Sequence, residues 1–252
     1  MGKINPFDIF SDTFGETFRW IHLFLPIALV FQLVVMAMNM QFLGSLTGQL
    51  SPETTEAFIG NFWTAWSVMM IVGLTLHVLQ LSLFDAVLEQ RADWFSFGIS
   101  RALRRLLPVL IGMVIFIAAY MVGILLLIIP GLMVLFLLYM MTPLILLDGR
   151  GPFEAVKASW QLTWGNAWRL VGAVLLVFLP VLIVSMLVGM TIGMMEGPLP
   201  AGQSPEVYGW GDWQTWVMLL VFALLAVIFT CFYLAAFREL KSARNAAGET
   251  TA

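Results

Sequence analysis

The chain has 252 residues, of which 61% are hydrophobic and 11% charged, with a mean hydropathy of +0.94. Soluble domains carry about 25% charged residues, so this composition excludes an ordinary water-soluble core and points to a chain solvated by lipid. A single cysteine, Cys231, excludes an intrachain disulfide and a Cys-rich metal site, and the net charge of −3 matters less than where the charges fall.

In chain order, the first predicted element is amphipathic. "NPFDIFSDTFGETFRW" repeats apolar residues at Phe7, Phe10, Phe14, Phe18 and Ile21, with Asp8, Asp12 and Glu16 on other faces. It leads into a first span near 21–43, on which Gln32 and Asn39 share a face. A second span near 63–86 carries His77, Gln80 and Asp85, spaced to lie roughly along one stripe. Polar groups are costly in lipid, so this stripe is the candidate intramembrane polar site. Its other reading is structural, with His77 and Gln80 bonding neighbouring helices and Asp85 in interfacial water.

"DWFSFGISRALRR" follows, mixing aromatics with Arg101, Arg104 and Arg105. The run from Leu106 to Leu147 is 42 residues without a charge. As one helix it would be roughly 63 Å long, about twice the hydrocarbon thickness of a bilayer. Basic residues flank both of its ends, which requires an even number of crossings. Pro130-Gly131 is therefore read as the turn of a hairpin joining spans near 106–128 and 132–147. "GPFEAVKASWQLTWGNAW" comes next, opening with Pro152 and lining up Phe153, Val156, Trp160 and Trp164. The fifth and sixth spans fall near 169–194, with Pro180 inside, and near 213–237. Ser185, Gly189 and Gly193 recur every four residues, as Ala119 and Gly123 do in the third span, which suits close helix packing within the bundle or between protomers.

The twelve Lys and Arg residues sort onto one side of this frame. All lie before the first span, between the second and third, between the fourth and fifth, or after the sixth; loops 44–62 and 195–212 hold acidic residues but no basic ones. The positive-inside rule then places both termini in the cytoplasm. The ten tryptophans fall near predicted span ends or in flanking segments, where an indole buries its ring and keeps its N–H wet. The expected fold is all-α: a polytopic membrane protein of one domain with six transmembrane helices. Amphipathic helices should lie along the cytoplasmic surface before each odd-numbered span. "NPFDIFSDTF" and "GPFEAVKASW" share spacing and residue types, a hint of internal repetition.

The block "IIPGLMVLFLLYMMTPLILLDGRGPFEAVKASWQLTWGNAWRLVGAVLL", with Pro130-Gly131, Thr142-Pro143, Asp148, Ser159 and Leu162-Thr163-Trp164, resembles the YciC family of bacterial inner-membrane proteins. Chain length and "SDTFGETFRWIHLFLPIALV" fit that resemblance too. It implies a multi-pass protein of a Gram-negative-type cytoplasmic membrane and brings no catalytic residues.

No His-Glu-x-x-His, Gly-x-Ser-x-Gly, Walker A or Gly-x-Gly-x-x-Gly motif occurs, and His22 and His77 are the only histidines. The chain is therefore not expected to be an enzyme, to hold a metal or cofactor, or to bind nucleic acid. The expected role is interaction with membrane lipids, a membrane-protein partner or a second copy, with Arg101, Arg104, Arg105, Trp160 and Trp164 as candidate interfacial lipid contacts. The alternative is a small-solute or ion permease using the stripe on the second span.

Overall fold

The computed structural model describes residues 3–47, 55–126, 138, 140–196 and 212–248. They form seven helices, and no strand occurs among the described residues: α1 (Pro6–Thr47), α2 (Thr55–Leu88), α3 (Trp94–Leu126), α4 (Met141–Leu146), α5 (Pro152–Thr163), α6 (Ala167–Glu196) and α7 (Trp213–Ala246). Five of these, α1, α2, α3, α6 and α7, are long and apolar enough to cross a membrane. In lipid no water remains to satisfy a bare backbone, so a charge-free run is best accommodated as unbroken helix. Pro26, Pro108 and Pro180 all sit inside helices without ending them. The proposed Pro130-Gly131 turn, and residues 132–137 and 139 of the predicted span 132–147, lie outside the described residues. What is described of that span is Leu138, Met140, α4 and Leu147, and the α4 side chains from Met141 to Leu146 are mostly buried.

The amphipathic segments differ from the expected surface helices. The first is continuous with its span in α1, and the Arg-rich second is continuous with its span in α3. Neither contains a residue that stops a helix. The third is a separate helix, α5, with Pro152 in its first turn, and it ends at Trp164. Gly165 then takes φ +86, a left-handed conformation that costs a side-chain-free residue little, and α6 starts two residues later. The faces also differ. In α1 the residues turned to the core are Ile9, Thr13 and Thr17, while Phe7 and Phe18 are exposed. In α5, Ala155, Ala158, Ser159, Leu162 and Thr163 pack inward, and Phe153, Trp160 and Trp164 point out.

Among the described residues the most extensive helix pairing is α1 along α7, followed by α2 along α3. Thr17 lies beside Cys231, and Asp8 and Asp12 lie near Glu239, so α1 and α7 run antiparallel with Pro6 and Ala246 toward the same end. Phe24 of α1 stacks on Phe84 of α2 with ring centroids 3.7 Å apart. The core gathers around Val78–Val87, Met140–Leu146, the inner face of α5 and Thr230–Phe237. Farther along, α3 and α6 turn large apolar side chains outward, among them Val114, Leu125, Leu182 and Met194. Gly189, read as a close-packing position, has nothing within 4 Å of where a Cβ would stand, so it mediates no close helix contact among the described residues.

Candidate functional site

The C-terminal turn of α2 brings Asp85 to the core, where only 6% of its side chain is exposed. Two guanidinium groups from other helices neutralise it. Arg101 of α3 reaches Oδ2 with Nη2 at 3.1 Å, and Arg238 of α7 donates from Nη2 to Oδ1 at 2.9 Å. Arg101 is held further: its Nε donates to Ser82 Oγ at 3.0 Å and its Nη2 to the Ser82 carbonyl at 2.9 Å. Ser82 Oγ in turn donates to the Gly98 carbonyl at 2.9 Å. Gly98 allows this approach of α2 and α3, because a Cβ there would lie 2.7 Å from Leu83 Cδ2 and 3.1 Å from Leu83 Cα. The Phe97 ring completes the cluster, with the guanidinium carbons of Arg91 and Arg101 at 3.7 and 4.9 Å from its centre.

A second polar tie joins the segment after α4 to the same end. Asp148 accepts from Lys241 Nζ of α7 at 2.7 Å, with Arg150 Nε at 4.0 Å. Arg105 donates from Nη1 to the Gly149 carbonyl at 2.9 Å. Gly149 has φ +72, and a Cβ on it would sit 2.7 Å from Arg105 Nη2, so only glycine lets the guanidinium lie against this turn. Between α3 and this turn opens a cleft of about 660 Å³. Ser96, Phe97, Ser100, Arg101 and Arg104 share the α3 side at helical spacing, and Leu146 to Gly149 form the opposite wall.

The expected stripe on α2 is divided by the structure: Asp85 joins the ion cluster, while His77 and Gln80 line one cavity of about 320 Å³. Asp85 belongs to the ion cluster and is buried there, not in interfacial water. Gln80 donates to the Ala226 carbonyl and to Thr230 Oγ1, both at 3.1 Å, and so ties α2 to α7. His77 faces the rings of Phe229 and Tyr233, at 5.7 and 6.2 Å between centroids. It lines two cavities of about 320 and 310 Å³, with Phe229 shared by both. Of the expected lipid contacts, Arg101 is turned inward, Arg105 is half-buried against Gly149, and Arg104 is exposed. Trp160 and Trp164 are exposed with rings stacked at 5.3 Å, and Trp168 is 84% exposed. Among the described residues no three His, Cys, Asp or Glu side chains converge as metal ligands. Beyond the predicted sixth span, burial and the facing carboxylates of Asp8 and Asp12 push the Glu239 carboxyl above its ordinary range.

A family model described as "Domain of unknown function (DUF7847)" matches residues 22–238. The chain belongs to that family. The DUF7847 match contains Asp85, Arg101 and Arg238, so the whole ion cluster falls within it, while Lys241 lies just beyond. No curated protein and no solved structure matches the chain.

Gly165 marks the break after α5 in the sequence, and small residues mark the inner face of that helix. The role of Arg238 had no such signal. It follows the predicted sixth span and is 153 positions from Asp85, a separation that only the packed bundle closes.

Proposed function

We propose that this chain is a multi-pass protein of a bacterial cytoplasmic membrane, with six crossings and both ends in the cytoplasm. It acts by binding lipid or a membrane partner, without covalent catalysis. The observation that carries this reading is the segregation of side chains at one end of the bundle. Arg104 is exposed there and makes no ion pair among the described residues, beside the cleft formed with Arg105. Trp160, Trp164 and Trp168 are turned outward on and after α5, which packs against α3. Guanidinium groups and indoles are the pairing that suits the headgroup layer of an anionic leaflet. The antiparallel run of α1 and α7 supports having both ends on one side, and the YciC resemblance supports the cytoplasmic membrane. The test is the lipid shell kept by the full chain when it is cut from its membrane in polymer discs. Anionic lipid should be enriched over the bulk membrane; a shell with bulk composition would overturn the reading.

A second reading, passage of a small solute, is favoured by one observation: two cavities share His77 and Phe229 as a common wall. With Cys231 replaced by Ala, a cysteine placed at 77 should react with a membrane-impermeant maleimide if water reaches it. Resistance to both impermeant and permeant reagents would leave His77 as a packing residue.

A further inference from the structure

We infer that the cleft between the first turns of α3 and the Leu146–Gly149 turn is a stoichiometric site for one phosphate-bearing anion with a small polyol headgroup. The inference rests on the lipid-binding reading above and deepens it from a general surface to a single site.

Charge accounting selects the anion. Five charged side chains line the cleft: Asp93, Arg101, Arg104, Arg105 and Asp148. Three are already matched by opposite charge. Asp93 pairs with Arg91 at 3.1 Å, Arg101 with Asp85 at 3.1 Å, and Asp148 with Lys241 at 2.7 Å. Arg104 has no carboxylate partner among the described residues, and the contact Arg105 makes is with a neutral carbonyl. Two guanidinium charges therefore remain for a ligand. A guanidinium carries five N–H donors, so Arg105 keeps donors beyond the one given to Gly149. Planar N–H pairs match phosphate oxygens in both spacing and charge.

Shape narrows the class. A water occupies about 30 Å³ of liquid, so about 660 Å³ holds a group many times larger than an inorganic ion. Ser96 and Ser100 put hydroxyls on the α3 wall, while Phe97, Leu146 and Leu147 supply apolar surface. Phosphate on the arginines, polyol on the serines and a glyceryl carbon skeleton on the apolar wall use all three features. Glycerophosphate chemistry has two sources, the headgroup of a membrane phosphatidylglycerol and a free glycerol phosphate.

The test is native mass spectrometry of the full chain in detergent, titrated separately with phosphatidylglycerol, phosphatidylcholine and soluble glycerol phosphate. One phosphatidylglycerol should bind per chain, about tenfold or more tighter than phosphatidylcholine, as expected for two charge-assisted contacts. Arg104→Gln with Arg105→Gln should remove that preference, and Lys at both positions should restore part of it. Ser100→Asp, which leaves both arginines in place, should weaken the same adduct if the double variant does not fold. Displacement of the lipid by glycerol phosphate would make the free ester the ligand; retention of the lipid would make it the headgroup. If the double variant has the wild-type thermal midpoint and binds phosphatidylglycerol as the wild type does, the site is overturned. Several weak phosphatidylglycerol adducts, unchanged by these substitutions, would overturn the site while leaving the broader lipid reading intact. Equal binding of the two lipids would overturn both.

Discussion

At the end of the bundle that holds Asp85, α2 buries nearly every side chain from Val78 to Val87, and α7 does so from Thr230 to Phe237. Toward the other end, α3 and α6 leave Val114, Leu125, Leu182 and Met194 largely exposed. The sequence is strongly apolar in both regions, so hydrophobicity does not explain the difference. The first region is joined by directional contacts: a carboxylate between two guanidiniums, a glutamine reaching across to α7, and an arginine on a backbone carbonyl. The second has side chains suited to a surrounding hydrocarbon phase, where leaving one helix for another gains little. The fold is thus closed by polar ties at one end and turns apolar side chains outward at the other.

The largest test of that contrast is Asp85→Asn. It strands Arg101, whose side chain is 13% exposed, beside a half-exposed Arg238, and should cost about 3 kcal/mol, the lower end for breaking a buried ion pair. Thermal unfolding in detergent reads this directly. Leu182→Ala in the outward region, measured alongside, should stay within about 0.5 kcal/mol. Equal losses from the two would break the comparison. Gly98→Ala is the next in size. Its Cβ would press on Leu83 Cα as well as Cδ2 and force α2 and α3 apart, for about 1–3 kcal/mol. An unchanged midpoint would mean that the two helices are not closely registered there. Gln80→Leu removes two hydrogen bonds to α7 and should cost about 0.6–1 kcal/mol, since the unfolded chain in a membrane finds other partners. A much larger loss would show that the polar ties act as one unit and not as separate contacts.

The smallest expected effect runs the other way. Glu239 sits partly buried near Asp8 and Asp12, and its carboxyl is raised above the ordinary range. The folded chain therefore holds that proton more tightly than the unfolded chain does. Its contribution is fully present below the ordinary carboxylate range and is lost as pH rises through the raised value. Glu239→Gln should raise the midpoint slightly at neutral pH and flatten its fall above the carboxylate range. A lower midpoint would mean that Glu239 is stabilising through a contact that outweighs the repulsion.

Much of this was legible in the chain before any tertiary contact is considered. Charge-free runs of more than 20 residues become helix because lipid offers the backbone no other partner, and the presence of α1, α2, α3, α6 and α7 follows from that rule. Local periodicity likewise marked α5 and its outward aromatics, because Phe153, Val156, Trp160 and Trp164 recur at helical spacing whatever surrounds them. Helix continuity was harder. The Arg-rich segment before the third span has the composition of a surface helix, yet nothing between Trp94 and Leu126 interrupts it, and it continues straight into the bundle.

Which side chains meet was a matter for the tertiary structure alone. His77, Gln80 and Asp85 share a stripe by spacing, but each is drawn to a different neighbour, because a polar group in an apolar surround goes to the nearest partner and not along its own helix. Arg101 reads in the sequence as one of three equivalent surface cations. The close approach at Gly98 and the carboxylate on α2 turn it inward and leave Arg104 and Arg105 facing the cleft. Local periodicity determines helices because it acts within a few residues; charge pairing across 153 positions is decided only when the helices pack.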